Sequence, residues 1–118
     1  MIGRRDIDVL MKIIDYCDEI YETVELFGEF FEIMSSNKTY RNATAMCVLQ
    51  IGELTIHLSD DFKAVYSEMP WQDMKNMRNM AAHGYGKFNL EKLWETIIED
   101  IPALREYCNQ IIQQNRNA

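Results

Sequence analysis

Apolar residues recur at three- and four-residue steps along most of the chain, which is the spacing of one face of an α-helix. The first such stripe predicts one long helix over residues 6–34. Acidic residues fill most positions between the apolar ones, and the simplest interpretation of them is a solvated outer face. The stripe consists of Leu10, Ile13, Ile14, Cys17, Ile20, Tyr21, Val24, Phe27 and Phe31.

A second helix is predicted after residues 35–39, Ser-Ser-Asn-Lys-Thr, which interrupt the stripe and offer N-cap residues. This helix runs to about Ser59, and segment 59–70 then predicts a cap, a short helical turn and a connector. Gly52 lies inside the helix, where glycine costs about 1 kcal/mol relative to alanine unless another helix approaches closely. The residues expected to face inward are Ala43, Cys47, Ile51, Leu54 and Leu58.

A third helix is predicted from Pro70, because the N–H that proline lacks would be unpaired in the first turn of a helix. It carries several methionines and reaches about His83, where Gly84 and Gly86 end it. Methionines of this kind are typical of a core or a dimer surface. The candidate dimer faces are therefore this Met-rich helix and the apolar stripe of the first helix.

Two further helices complete the predicted fold. Asn89 is a plausible cap for a fourth helix that ends at about Glu99, and Pro102 begins a last helix. The polar tail, residues 109–118, is expected to fray. Because nothing alternates with a period of two, the pattern predicts a single all-α domain over residues 1–118, an antiparallel bundle of about five helices.

Composition favours a cytoplasmic protein. Hydrophobic residues make up 47% of the 118, which excludes a disordered chain. No apolar run approaches the roughly 18 residues that span a bilayer, and the N-terminus lacks a secretory signal. Three cysteines without metal-ligand spacing lie in apolar periodic segments, and they are expected to be buried thiols in a reducing compartment. They are Cys17, Cys47 and Cys108.

Charge is unevenly distributed along the chain, whose net charge is −7. Residues 1–34 hold nine of the nineteen acids, whereas Lys63 to Lys92 contain five basic residues against three acids. The acidic total argues against broad binding of nucleic acid, which depends on Lys and Arg that neutralise phosphates. Any contact with RNA is therefore expected to be local.

Polar groups of several kinds cluster in the stretch NMRNMAAHGYGKFN. At about 100° per residue, Asn79 and His83 share one helix face and Arg78 lies on its flank. The glycines that follow allow Tyr85 and Lys87 to bend back toward the same place. A guanidinium, an imidazole, a phenol and an amide are therefore expected to surround a small volume at a helix end.

These groups suit cleavage of RNA without a metal. A histidine, with a reference pKa of about 6.5, can take or give the proton of a ribose 2′-hydroxyl. An arginine can hold two phosphate oxygens and neutralise the charge of the transition state. One histidine per chain is few for acid–base chemistry, so the pairing of two chains around one cleft would help. Lys75 and Lys87 are candidate contacts to substrate phosphates.

The segment RNMAAHGY resembles the R-x4-H-x-Y signature of HepT-like toxins, members of the HEPN (higher eukaryotes and prokaryotes nucleotide-binding) superfamily. The segments IGEL, MPWQDMKNMRN and FNLEKLWETIIEDIPAL resemble the same family in the same order, from about Asp6 to Tyr107. The resemblance implies a dimer of helical bundles that brings two motifs together and acts as a metal-independent ribonuclease. It implies catalytic roles for Arg78 and His83 and a supporting role for Asn79.

The resemblance also implies a partner. HepT-like toxins are usually paired with a small nucleotidyltransferase antitoxin, which neutralises them by transferring AMP to the motif tyrosine. That tyrosine corresponds to Tyr85. AMP adds phosphate charge and bulk where the substrate phosphate would lie.

Each of these residues also has a structural interpretation. Arg78 can form a surface salt bridge with an acid of the first helix, and His83 can cap a helix end. Tyr85 can pack its ring on the bundle, and Lys87 can be an isolated exposed lysine. The corresponding alternative function is a non-catalytic scaffold that binds a nucleotidyltransferase or a nucleotide.

Glu53, beside Gly52 on the second predicted helix, is a candidate supporting residue. It can be a buried partner of Arg78 or Asn79, and a solvent-facing position is equally compatible with the sequence. No metal or other cofactor is predicted, because no recurring ligand spacing links the potential ligands. Those ligands are Cys47, Glu53, His57 and His83.

Overall fold

The computed structural model describes residues 2–69 and 90–116. Within these ranges the chain forms α-helices and one π-helical turn, without a β-strand. The all-α prediction is confirmed. The helices are α1 (Arg4–Phe27), α2 (Phe31–Ser36), α3 (Lys38–Ile56), α4 (Asp60–Val65), α5 (Leu90–Glu95) and α6 (Ile101–Arg116), and the π-helical turn Thr96–Asp100 joins the last two.

The three long helices α1, α3 and α6 enclose the core. Asp6, near the start of α1, contacts Ser59, which follows the end of α3. Glu19, further along α1, contacts Cys47 in the middle of α3. One residue number rises as the other falls, so α1 and α3 are antiparallel. The antiparallel bundle that the sequence predicts is therefore present. The fully buried core residues include Leu10, Ile13, Cys17, Ile20, Tyr40, Ile51, Ile101, Leu104 and Cys108.

The apolar stripe of α1 faces this core. Leu10, Ile13 and Ile20 are completely buried by α3 and α6 of the same protomer. For these residues the prediction of a candidate dimer face is wrong, because burial of their side chains already stabilises the protomer itself. The other half of the stripe is partly exposed, and there the dimer face stays a prediction. The Met-rich third helix, the other candidate face, lies outside the described residues.

The prediction of one helix over residues 6–34 is also wrong. Helix α1 ends at Phe27, because Gly28 adopts φ 109° and donates its backbone N–H to the Val24 carbonyl at 2.7 Å. Only glycine takes such a positive φ without strain. A separate helix α2 begins at Phe31, and the phenol of Tyr40 donates to the Gly28 carbonyl at 3.0 Å, which fastens this corner to α3.

Helix α3 begins within the predicted cap segment. The Asn37 side chain accepts a hydrogen bond from the backbone N–H of Tyr40 at 3.0 Å. The helix ends at Ile56, and Ser59 instead caps α4 by accepting from the N–H of Phe62. The short helical turn predicted in segment 59–70 is thus confirmed. Of the residues predicted to face inward, Cys47, Ile51 and Leu58 are buried, whereas Ala43 and Leu54 are partly exposed.

The predicted fourth and fifth helices form one continuous helical segment. The N–H of Ile101 bonds to the Thr96 carbonyl, which is the i→i−5 pattern of a π-helical turn. Pro102 follows immediately, and a proline there removes the i→i−4 bond and crowds the carbonyl of Ile98. The wider π turn accommodates the proline, so the chain continues where the sequence predicts a new helix.

The C-terminal tail is helical as far as Arg116. Ile111 and Ile112 are buried in the core, and Asn115 accepts from the backbone N–H of Ile2 at 3.3 Å. The prediction that this tail frays is wrong over residues 109–116, because these long-range contacts hold the helix end. Within the described ranges, no helix combines the length and apolar character needed to cross a bilayer.

Candidate functional site

The predicted catalytic cluster lies in the part of the chain that the structure leaves undescribed. This holds for all six of its candidate residues, and for the caps and glycines predicted around them. The residues concerned are Lys75, Arg78, Asn79, His83, Tyr85 and Lys87. The described residues define the positions of the chain on either side of this segment, and the chemistry that the remaining surface offers.

The chain leaves the described part beside α6. Met69 packs against the core, and Glu68 lies next to the phenol of Tyr107 in the middle of α6. Burial of the phenol and the nearby Glu68 carboxylate raise the pKa of Tyr107 above its ordinary value. The last described residues before the candidate segment therefore contact the bundle.

The chain re-enters at α5, which an aromatic cluster holds in place. The ring of Trp94 lies edge-on to Phe31 and to Tyr40, with centroid distances of 6.4 Å in each pair. Tyr40 in turn stacks on Phe27 at 5.1 Å. Such aromatic pairs contribute about 0.5–1.5 kcal/mol beyond the area they bury. The described residues on both sides of the undescribed stretch, Met69 and Trp94, thus pack against the core.

Glu53 lies half-buried on α3, next to the buried Gly52. Its exposure thus lies between that expected of a buried partner and that expected of a solvent-facing residue. Both of the partners predicted for it, Arg78 and Asn79, are outside the described residues. The role predicted for Glu53 stays a prediction.

Two of the potential metal ligands, Cys47 and His57, are too far apart to share an ion. Cys47 and His57 are ten residues apart along the helix, which corresponds to about 15 Å. His57 is exposed at the end of α3, and its backbone N–H bonds to the Leu54 carbonyl at 3.0 Å. In residues 2–69 and 90–116, no three His, Cys, Asp or Glu side chains are placed to hold a metal.

Each long helix contributes one buried, free cysteine, as the sequence predicts. Burial is the main cause that raises the pKa of Cys17, Cys47 and Cys108 to about 12 in each case. The thiol of Cys47 also donates to the carboxylate of Glu19 at 3.3 Å. A thiol that stays protonated at neutral pH is a poor nucleophile, so none of the three suits covalent catalysis.

Three grooves formed by the described residues share one electrostatic property. Each is lined by two carboxylates and by no lysine or arginine. The first lies between α1 and the π-helical turn, the second between α1 and α3, and the third between the start of α1 and α4. Their carboxylates repel phosphates, which makes these grooves unsuitable for RNA. The acid pairs are Glu25 with Glu29, Glu19 with Glu22, and Asp6 with Asp61.

Four polar residues are buried in the described part of the chain, and the sequence analysis predicted none of them: Asp6, Thr44, Thr55 and Thr96. Asp6, expected on a solvated face, is 7% exposed and accepts hydrogen bonds from the backbone N–H and the hydroxyl of Ser59 at 2.9 and 2.7 Å. The signal was available, because Asp6 lies four residues before Leu10 and so extends the apolar stripe. Thr96, in the π-helical turn, is also buried, and its hydroxyl has no hydrogen-bond partner within the described part of the chain.

One ion pair links α1 to α6. Nε of Arg105 donates to Oδ1 of Asp18 at 2.7 Å, and this bond raises the pKa of the guanidinium. Because both side chains are partly exposed, the pair contributes about 0–1 kcal/mol to stability. It joins the second half of α1 to the first half of α6.

Comparison with known proteins gives a consistent result. A family model described as "Ribonuclease HepT-like" matches residues 13–111, a range that includes the whole candidate segment. The chain is 35% identical over 96 residues to "Probable ribonuclease HepT" of Thermococcus cleftensis, covering 77% of this chain and 87% of that relative.

Two further relatives are provisionally named RNases. One, from Caldanaerobacter subterraneus subsp. tengcongensis, is 29% identical over 107 residues, which are 91% of this chain and 94% of the relative. The other, from Methanocaldococcus jannaschii, is 27% identical over 108 residues, which are 89% and 95% of the two chains. No solved structure matches the chain.

Proposed function

Because the chain belongs to the HepT-like ribonuclease family, we propose that it is a metal-independent endoribonuclease, active as a dimer and serving as the toxin of a toxin–antitoxin pair. One observation carries the proposal: the family match extends through the complete R-x4-H-x-Y motif formed by Arg78, His83 and Tyr85. The three buried, free thiols favour a reducing location such as the cytoplasm.

The proposed reaction uses the two motif side chains that suit phosphodiester chemistry. The imidazole of His83 removes the proton of a ribose 2′-hydroxyl, whose oxygen attacks the adjacent phosphorus. The P–O5′ bond breaks, and the imidazole of a second copy of the chain protonates the leaving 5′-oxygen. Arg78 neutralises the charge on the non-bridging oxygens. The products are a 2′,3′-cyclic phosphate and a free 5′-hydroxyl.

The distribution of charge supports RNA binding at the motif segment. The three grooves described above are lined by acids and repel phosphates. Lys75, Arg78 and Lys87, in contrast, lie within thirteen consecutive positions that hold no acid. RNA contact is therefore expected to be confined to this segment, with Asn79 and the half-buried Glu53 as supporting polar residues.

The decisive experiment measures RNA cleavage by the purified full chain in the presence of EDTA. His83→Ala and Arg78→Ala are each expected to reduce the cleavage rate by at least about 100-fold. The chain offers matched controls. His57→Ala replaces the other histidine, which is exposed at the end of α3, and Arg116→Ala replaces an exposed arginine in the last turn of α6. Both controls are expected to cleave like the wild type.

The same experiment distinguishes a nuclease from the alternative, a non-catalytic scaffold. If the unmodified wild-type chain leaves RNA intact under all conditions and its expression harms no cell, the nuclease proposal is rejected and the scaffold is retained. Equal loss of activity in His57→Ala and His83→Ala would instead point to a general effect on folding.

We further propose that a nucleotidyltransferase antitoxin silences the enzyme at Tyr85. The phenol oxygen attacks the α-phosphorus of ATP, pyrophosphate leaves, and the tyrosine carries AMP whose charge and bulk obstruct substrate phosphate. Coexpression with the candidate antitoxin is expected to increase the intact mass by one or more AMP units. Tyr85→Phe should abolish this increase, whereas Tyr16→Phe on α1 should retain it.

A further inference from the structure

The groove between α1 and α3, here called the α1–α3 groove, exposes two large apolar side chains. It has a volume of about 460 Å³ and is lined by residues of the second half of α1 and the first half of α3. Leu26 and Met46 are 78% and 54% exposed, although both are large hydrophobic residues. Thr23, Ala43 and Cys47 also line it. Exposed apolar side chains that line one groove are typical of a binding surface.

Two carboxylates, from Glu19 and Glu22, border this apolar surface. Neither carboxylate forms an ion pair with any residue in the ranges 2–69 and 90–116. Glu19 is also held in place, because the thiol of the buried Cys47 donates to its Oε2 at 3.3 Å. The groove therefore presents a fixed negative charge beside exposed leucine and methionine side chains.

We propose that the α1–α3 groove binds a basic amphipathic helix of a protein partner. Apolar side chains of such a helix would cover Leu26 and Met46, while its lysines or arginines would pair with Glu19 and Glu22. RNA does not fit this surface, because the groove carboxylates repel phosphates. The proposal uses none of the catalytic residues.

The test titrates the full chain with a synthetic helical peptide of about five turns that carries leucines on one face and lysines on the other. A scrambled peptide of the same composition separates groove binding from general attraction to an acidic protein. The wild type is expected to bind the amphipathic peptide at least about tenfold more tightly than the scrambled one. Sedimentation of the chain with and without peptide is measured in parallel.

Two groove variants and one control variant accompany the titration. Glu19→Gln with Glu22→Gln removes the charge but keeps an acceptor for Cys47, and Leu26→Ser with Met46→Ser removes the apolar surface. Each pair of changes is expected to weaken peptide binding about tenfold. Glu99→Gln with Glu106→Gln neutralises two exposed acids outside the groove and is expected to change binding less than about twofold.

Three results would overturn the proposal. The first is equal binding of the scrambled peptide, and the second is peptide binding by both groove variants that matches the wild type. The third is dissociation of a self-associated wild type by the peptide, which would identify a second copy as the occupant. Unchanged circular dichroism and melting temperature verify that each variant is folded, and the charge variant is decisive if the apolar variant melts early. None of these readouts depends on ribonuclease activity.

Discussion

At the scale of single residues, burial determines the protonation of the thiols and the hydrogen bonding of Asp6. The sequence correctly predicts three buried cysteines, because each lies on an apolar helical stripe. Their protonation follows from the fold: the ordinary thiol pKa of 9.0 is raised to about 12 in Cys17, Cys47 and Cys108. The burial of Asp6, in contrast, is not predicted from the sequence. It depends on bonds to Ser59, a residue 53 positions away.

The raised thiol pKa values predict loss of stability in alkali. Above about pH 9 the thiols ionise in the unfolded chain but stay protonated in the folded one, so the unfolded state binds fewer protons and the free energy of unfolding falls as pH rises toward 12. Each thiol accounts for roughly 1 kcal/mol of this loss between pH 7 and pH 10. Urea unfolding of wild type and Cys108→Ala measures the two pH slopes.

The wild type should have the steeper slope of the two, whatever the difference in their stability at pH 7. Equal slopes would show that Cys108 ionises as readily in the folded protein as in the unfolded one. Cys108 is the preferred position for the variant because its side chain is completely buried and makes no hydrogen bond to another side chain in the described part of the chain.

At the scale of elements, the helical period predicts that a helix is present better than it predicts where the helix begins and ends. The apolar stripe continues through residues 27–31, so the sequence pattern alone predicts no break in that region. The break arises because Gly28 takes φ 109° and the Tyr40 phenol binds its carbonyl. At the other end of the chain, Pro102 predicts a break, but the π-helical turn accommodates it. Contacts from other helices decide both outcomes.

Gly28→Ala is expected to destabilise the fold by about 1–3 kcal/mol, because an L-residue is strained at that positive φ. Its new Cβ would also meet the Ile33 side chain at 3.4 Å. Gly3→Ala is the matched control, since Gly3 has φ −73° and no atom lies within 4 Å of the added Cβ. Thermal and urea unfolding of both variants measure the difference. Similar stability in the two variants would contradict the role given to Gly28.

The cap of α4 supports a second prediction at this scale. Ser59 both accepts from the Phe62 N–H and donates to the buried Asp6. Ser59→Ala is expected to cost about 1–2 kcal/mol, because it removes the cap and leaves Asp6 with one bond fewer. Ser36→Ala is the control, because that exposed hydroxyl bonds only to carbonyls of its own helix. Urea unfolding should show the larger loss in Ser59→Ala.

At the scale of the whole molecule, the distribution of charge limits where RNA can bind. Acids of α1 line all three grooves described above, and Asp61 of α4 adds a second acid to the third. The sequence predicts this asymmetry from charge counts alone. It does not predict the grooves themselves, because these depend on how α1 packs against α3 and the π-helical turn.

RNA binding is therefore expected to depend on a few local cations. In a His83→Ala background that prevents cleavage, Lys75→Gln with Lys87→Gln should weaken binding and reduce the salt slope by about 1–1.5, since each phosphate contact to single-stranded RNA contributes about 0.7. The control, Lys12→Gln with Lys38→Gln, changes two exposed lysines on α1 and α3 and should leave the slope unchanged. Binding at several salt concentrations tests this, and equal effects of the two pairs would contradict local binding.

The sequence by itself determined the helical class, the buried cysteines and the family, because periodic spacing and a short motif are properties of neighbouring residues. Only the tertiary structure decided that the stripe of α1 faces its own protomer's core, that Asp6 is buried and that Glu19 and Glu22 border an apolar groove. Each of these depends on contacts between residues far apart in the chain. The free energy of such contacts comes from packing and desolvation, which no local pattern contains.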